Sequence, residues 1–304
     1  MELRQLRYFK AIADARSFLR AAEQLHVAQP ALSRSMAKLE EELGCPLFVR
    51  HSGGVSLTDP GARFYDHTHS LLGQVRGVMD DMAAEDPELR GVVSLGAPQV
   101  LHSKLVASVS IEFLAQHRRC ELDLVQDSGA RLREKLDQGV IDVAIITDPA
   151  SDRLHSRKLV RESVCIICKP QDRGQFPAVA TVRDLEGIPL VLAGYPGSLR
   201  LLIEKRFPHE RDHLLVRSEV NSSALLVDLV IHGAGYGVAP CSAIGLLPRE
   251  TLAYVPIEEL DVHWAVATTF ERRKMRAVKV LEDLLVAKLE ELVNNDDWPT
   301  ASLV

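Results

Sequence analysis

The chain has 304 residues, 46% of them apolar and 26% charged, with a formal net charge of −6. That length accommodates about two domains of roughly 150 residues, and the composition is that of a globular protein, which excludes a disordered chain, a collagen and a disulfide miniprotein. No apolar run approaches the roughly 18 residues of a membrane helix, no signal-peptide block opens the chain, and five irregularly spaced cysteines suit a reducing compartment, so a cytoplasmic location off the membrane is expected.

Residues 1–63 carry nine Lys/Arg against seven Asp/Glu, and the remainder carries 27 against 35. The mild excess of positive charge therefore sits at the N-terminus, where a local nucleic-acid module is compatible with an acidic whole. Leu3, Leu6, Phe9 and Ala13 recur at helical spacing, with Arg4, Arg7 and Lys10 off that stripe. Ser17 suits the N-cap of a second helix over 18–25, whose apolar face is Phe18, Ala21, Ala22 and Leu25. After a short break, Pro30 opens a third helix that runs to Leu43 and buries Leu32, Met36, Leu39 and Leu43, with Gly44 as its left-handed cap.

Two short helices joined by three or four residues, the second opening with polar side chains, describe a helix-turn-helix. The second helix of such a pair lies in the major groove with its N-terminal residues at the base edges. Here those residues are Gln29, Pro30, Ser33 and Arg34. Gln suits adenine, Arg suits guanine or phosphate, and Ser serves either. Lys38, one turn on, is placed for phosphate. Residues 49–58 read as two short strands around Gly53-Gly54, a wing that carries Arg50. Pattern alone also fits an ordinary three-helix cap with solvated polar residues.

The run Ser17-Phe18…Ala21-Ala22…Leu25…Gln29-Pro30-Ala31-Leu32-Ser33…Leu39-Glu40…Leu43-Gly44…Leu47-Phe48-Val49-Arg50…Leu57-Thr58-Asp59-Pro60-Gly61 resembles the DNA-binding domain of LysR-type transcriptional regulators. The wing tip, His51-Ser52-Gly53-Gly54, lacks the basic residues this family often places there, which leaves Arg50 to carry the wing's contact.

Between Pro60 and Glu85, Phe64, Thr68, Leu71, Val75, Val78 and Met82 are spaced 4, 3, 4, 3, 4, a heptad seam that pairs two helices. A single amphipathic helix lying on its own domain fits the spacing equally well, and the resemblance favours a dimerising linker. An acidic hinge ending at Glu88 follows.

Beyond it, strands over 92–96, 121–126 and 140–147 alternate with helices over 100–117 and 130–138, the order of a parallel sheet. Strands over 164–168, 190–192, 214–217, 236–239 and 262–268 continue the series, with helices over 198–207 and 223–232. A last helix, 274–292, closes the chain before a frayed tail at 294–304. This order resembles the effector-binding region of the same regulators, itself similar to type 2 periplasmic binding proteins. The resemblance implies a winged helix-turn-helix at 1–58, a linker helix at 59–89 and a two-subdomain α/β effector region at 90–293. Subdomain I would comprise 90–160 and 269–293, and subdomain II 161–268. Ligands of such open sheets sit outside the carboxyl ends of strands.

The loops at those ends are Ala97-Pro98-Gln99-Val100, Asp127-Ser128-Gly129, Thr147-Asp148, Gly194 to Ser198, and Asn221-Ser222-Ser223. Four of them open helices, whose N-termini favour an anion. Gln99, Val100, Ser128, Thr147, Ser198, Asn221 and Ser222 are thus candidate effector contacts, with a small carboxylate as the expected ligand and Arg200 as an added cation. Each Ser or Asn is equally explained as an N-cap alone. The stretch from Gln126 to Gly139 is similar to the nitrogen-assimilation-control branch of the family.

Cys165-Ile-Ile-Cys168 has the spacing of a metal or redox pair, but residues three apart on a strand face opposite sides. Gly233-Ala-Gly235-Tyr-Gly237 precedes a strand instead of following one, so it fails as a dinucleotide loop. No nucleophile elbow, Walker loop or zinc-protease motif is present, so no enzyme, metal or cofactor is expected. The expected function is sequence-specific regulation of transcription under a small effector. Its partners would be double-stranded promoter DNA, RNA polymerase and further copies of the chain, in dimers and, by resemblance, tetramers. The alternatives are a thiol-based redox sensor, and a cytosolic solute-binding protein with an N-terminal interaction module.

Overall fold

The computed structural model describes residues 1–82, 88–147, 153–194, 198–206, 214–245 and 250–304. They divide into two compact units, which begin at Met1 and at Glu88.

In the first unit, α1 (Leu3–Ala15), α2 (Phe18–Gln24) and α3 (Gln29–Leu43) enclose a core of Phe9, Ile12, Ala21, Ala22, Leu32, Met36 and Leu39. The buried face of α1 is Gln5, Leu6, Phe9 and Ile12, while Leu3 is 46% exposed. The apolar stripe is therefore rotated from the expected Leu3–Ala13 line. Gln5 tolerates burial because its side-chain oxygen accepts the Glu2 amide at 2.7 Å. The Ser17 hydroxyl accepts the Arg20 amide at 3.3 Å, the N-cap that starts α2. Pro30 lies in the first turn of α3, and Gly44 ends it at φ +70°.

The hairpin β1 (Phe48–His51) and β2 (Gly54–Leu57) is tied to the helices at both ends. The Glu40 carboxylate, on α3, accepts the amides of Leu47 at 2.7 Å and Phe48 at 3.2 Å. On the other side the Val55 amide donates to the Arg16 carbonyl at 3.1 Å. A Cβ at Gly54 would lie 2.5 Å from that carbonyl oxygen, so this turn requires glycine.

Thr58 then launches α4 (Asp59–Met82): its hydroxyl accepts the Gly61 amide at 2.9 Å and donates to the Pro46 carbonyl at 2.7 Å. Phe64 sets its ring edge-on to Phe9, with centroids 4.9 Å apart. Thr68 and Leu72 are buried, whereas Leu71 and Val78 are exposed. The expected seam thus divides. Phe64 serves its own unit's core, while Leu71 and Val78 present an uncovered apolar edge; the Met82 side chain lies outside the described residues.

The second unit is built on a nine-stranded mixed sheet whose main path runs β4-β3-β5-β10-β6-β9-β7-β8. On one side, β3 (Arg90–Ala97) lies parallel to β4 (Arg119–Gln126) and β5 (Val143–Thr147). On the other, β7 (Leu190–Ala193) lies parallel to β8 (Val216–Val220) and β9 (Tyr236–Pro240). Between them, β6 (Leu154–Cys168) and β10 (Ala253–Thr269) form a long antiparallel ribbon. The boundaries expected near residues 160 and 268 both fall inside these strands. α5 (Ala107–Gln116), α6 (Gly129–Asp137), α7 (Ser198–Arg206), α8 (Ser223–Ile231) and α9 (Arg276–Asn294) complete the unit, with α5 and α9 over the largest core.

Three departures from the sequence reading matter. The helix expected over 100–117 is continuous only from Ala107; before it come a 3-10 turn, Gln99–Leu101, and a π-helical turn, His102–Val106. The strand expected at 164–168 begins ten residues earlier, because His155, Ser156, Arg157, Lys158, Arg161 and Glu162 mask its extended pairing with β10. The expected frayed tail is ordered. Trp298 is 2% exposed, and β11 (Ala301–Leu303) pairs with β6 across Glu162–Val160, so apolar burial and a backbone ladder hold the C-terminus down.

Gly61 is the tightest point of the first unit: a Cβ there would lie 2.1 Å from the Leu47 carbonyl oxygen. We expect Gly61→Ala to destabilise this unit by about 2 kcal/mol or more. Thermal unfolding of the full chain should show an early transition that the wild type lacks.

Candidate nucleic-acid interface and effector site

The reading face of α3 follows from its periodicity. With Leu32, Met36 and Leu39 turned into the core, Pro30, Arg34 and Lys38 fall four apart on the opposite side, with Gln29 and Ser33 beside them. Gln29, Pro30, Arg34 and Lys38 are exposed and Ser33 is half-buried. Five of the six residues named for DNA contact thus share the outer surface of one helix. The sixth, Arg50, is exposed on β1, where its guanidinium sits 4.7 Å above the Phe18 ring of α2. That stacking holds the cation beside the helices and leaves its donors available.

In the second unit the sheet register assembles the candidate loops. Ala97 is paired with Gln126, so the loops bearing Gln99 with Val100, and Ser128, leave adjacent strand ends. β5 runs beside β3 and ends at Thr147. Ala193 is paired with Val220, so β7 ends beside the start of the Asn221–Ser222 loop. One contact joins the two groups of loops: the Gln99 side-chain oxygen accepts the hydroxyls of Ser222 at 3.1 Å and Ser223 at 3.3 Å. Ser223, quoted only as part of its loop, is therefore a member of this cluster.

The other candidates have structural duties. Ser222 caps α8 by accepting the Leu225 amide at 3.4 Å, and Ser128 accepts the Arg131 amide at 3.4 Å at the start of α6. The Thr147 carbonyl accepts from Arg133 at 3.4 Å. Val100 is half-buried against the main core, and Asn221 is exposed. The backbone of Ser198 opens α7, but its side chain, like Asp148 and residues 195–197, lies outside the described residues. Arg200 does not supply an unbalanced cation. It pairs with Glu204 at 2.9 Å and Glu219 at 3.2 Å.

The Cys165-x-x-Cys168 pair is not a pair in space. Cys165 neighbours Cys241, and that thiol contact, with burial, pushes it well above the ordinary thiol range. Burial first, then Asp172, pushes Cys168 up to about 11. A raised thiol pKa keeps the reactive thiolate scarce at neutral pH. Among the described residues there is no group of three or more His, Cys, Asp or Glu able to hold a metal ion, and no helix is long and apolar enough to cross a membrane.

Comparison with known proteins decides what this pairing of units is. Residues 3–62 match the bacterial regulatory helix-turn-helix model of the LysR family, and residues 87–290 match the LysR substrate-binding domain. The chain belongs to the LysR family of transcriptional regulators. It is 32% identical over 80% of its length to the nitrogen assimilation regulatory protein Nac of Escherichia coli, covering 79% of that protein. It is 27% identical over 97% of its length to the transcriptional regulator BbuR of Bordetella bronchiseptica, covering 92% of it. A full-length OxyR variant from Pseudomonas aeruginosa superposes with a TM-score of 0.71 at 25% identity, over 94% of both chains. CbnR, a LysR family regulator solved in complex with its target DNA, gives 0.67 at 23% identity over 95% of this chain and all of that one. The protein is accordingly a DNA-binding LysR-family regulator, and not an enzyme, with a substrate-binding domain following its helix-turn-helix.

The cysteine environment generates a direct check. At pH 8 iodoacetamide should leave Cys165 and Cys168 unmodified in the folded protein and label both after denaturation, as read by peptide mass spectrometry. Since a thiolate appears only as pH rises through its pKa, labelling of native Cys168 should increase steeply above pH 10.

Proposed function

We propose that this regulator reads promoter DNA with the N-terminal half of α3 and responds to a small carboxylate held where the Gln99, Ser128, Thr147, Ser198 and Asn221–Ser223 loops converge. The observation that carries the DNA reading is the outer face of α3, where Gln29, Pro30, Ser33 and Arg34 lead and Lys38 follows one turn later. Gln29 and Arg34 supply base-edge contacts, Ser33 serves base or phosphate, Pro30 packs on the groove wall, and Lys38 and Arg50 meet phosphates. Support comes from the CbnR complex, a relative in fold that was solved on its target DNA.

The uncovered edge of α4 at Leu71 and Val78 supports pairing of two copies through the linker, which would present two recognition helices to two half-sites. Tetramers, contact with RNA polymerase and residence in the cytoplasm belong to the same reading. The subdomains would be 90–160 with 269–293, and 161–268, with the effector between them.

Binding to a promoter fragment should fall steeply with salt, because phosphate contacts release counterions. Arg34→Ala should weaken specific binding by about 1–3 kcal/mol and relax discrimination at one base position, whereas Lys38→Ala should weaken all sequences alike. Fluorescence anisotropy with matched and mismatched duplexes separates these outcomes; unchanged affinity in both Gln29→Ala and Arg34→Ala would refute the assignment. For the effector, a thermal-shift screen of small carboxylates should give hits that Ser222→Ala and Ser223→Ala together abolish. Hits that survive the double substitution would place the pocket elsewhere.

A further inference from the structure

The C-terminal segment converges on the most deeply buried carboxyl group among the described residues of the second unit. Glu162, on β6, has no exposed surface. Its oxygens accept the Ser242 amide at 2.6 Å, the Ser242 hydroxyl at 3.1 Å and the Trp264 indole N–H at 2.7 Å. Trp298, from the C-terminal segment, buries its indole beside the same carboxyl group, to which Ser242 and Trp264 donate. Trp264 and Trp298 are the only tryptophans in the chain. Burial raises the Glu162 carboxyl above the usual range, and the hydrogen bonds from Trp264 and Ser242 offset only part of that.

The segment is fastened at three further points. The Ser163 amide donates to the Thr300 carbonyl at 3.2 Å, β11 pairs with Val160–Glu162, and the Val304 amide donates to the Leu159 carbonyl at 3.1 Å. To reach them the backbone takes positive φ at Asp296 (+61°) and Thr300 (+63°). For a β-branched threonine that conformation is strained, and it persists because the surrounding contacts over-determine it. At its start, the segment's Asp297 carbonyl accepts Lys104 Nζ at 2.8 Å. Lys104 belongs to the π-helical turn His102–Val106, which directly continues the Gln99–Leu101 turn. Single π-turns of this kind are frequent at functional sites.

We propose that residues 295–304 are a conformational strap that couples the Gln99 loop to the β6–β10 ribbon. One end is held by Lys104 behind the loop, and the other is held on Glu162 and β6. Displacement of the Gln99 turn moves Lys104, shifts the Asp297 carbonyl and changes how Trp298 seats against Glu162. By linkage, loosening the strap must in turn loosen the turn. The regulatory sense of this device rests on the effector reading given above, because occupancy of the Gln99 loop is what would drive it. The mechanical coupling itself does not.

The test uses the full chain without any effector. Lys104→Met keeps the stem of the side chain and removes the bond to Asp297. It should red-shift the tryptophan emission and raise amide exchange at Ser163 and Val304 about fivefold. Trp298→Phe, which keeps an aromatic ring in place, should reciprocally raise exchange through residues 99–106. Exchange in α1–α3 serves as the control for global destabilisation and should not change. If Lys104→Met leaves emission and both amides as in the wild type, or Trp298→Phe leaves 99–106 unaltered, the segment is only an edge strand and the proposal fails. A positive result with no carboxylate hit in the thermal-shift screen would overturn the effector assignment and leave the strap standing.

Discussion

The second unit depends on one ribbon. β6 and β10 pair from Leu154↔Thr269 to Ala253↔Cys168, and the remaining strands of the main path hang on its two sides. Its ladder is irregular at two places, between Pro256 and Asp261 and between Trp264 and Ala265. Breaking regular ladder bonds in a buried sheet strands polar groups at about 1–3 kcal/mol each, whereas bulges already carry local twist and an unpaired residue. The effector proposed above, worth a few kcal/mol of differential affinity at most, would therefore be answered at the irregular stretches. Glu162 lies opposite Val262, between those two irregularities, with the C-terminal segment clamped over it.

The first unit obeys a different logic, in which the motif residues mostly do structural work. Glu40 gathers two amides at the start of the wing, Thr58 caps α4 while holding Pro46, and Gly61 lets α4 touch the Leu47 carbonyl. Ser17 starts α2. Each needs one residue type for a geometric reason, so the pattern can be seen in a single sequence. The side chains proposed to meet DNA have no such constraint. Arg34, Lys38 and Gln29 stand off the core, and what they read depends on the duplex they meet.

The same contrast explains what was legible beforehand. Helix boundaries, caps and the outward face of α3 are local, so Pro30, Gly44 and the 3.6-residue period disclosed them. The first half of β6 and the C-terminal strand are long-range objects. Taken alone, Glu162 is an ordinary solvent-facing carboxylate until Trp264 and Ser242, 102 and 80 residues further on, are folded against it. Arg200 shows both cases at once, since its Glu204 partner sits four residues along the same helix whereas Glu219 arrives from β8. In α1 a buried glutamine, satisfied by the Glu2 amide, turned the helix away from the purely apolar stripe.

The chemistry of the Gln99 cluster narrows what can act there. Arg200 is balanced by two carboxylates, Lys135 is held by Asp127 at 3.1 Å and Arg133 donates to the Thr147 carbonyl, so what Gln99, Ser222 and Ser223 themselves offer is hydroxyls and an amide. Both Ser222 and Ser223 donate to one acceptor, the Gln99 side-chain carbonyl oxygen. A carboxylate competes for those same protons and offers a charged acceptor, whose hydrogen bonds are roughly twice as strong as neutral ones. Capturing them leaves Gln99 without donors and releases its turn from α8. A cationic ligand has the opposite effect, since it adds a donor to Gln99 and leaves the serines competing for the same oxygen. In the proposed reading, an acceptor-rich ligand would therefore be the one to separate the two groups of loops.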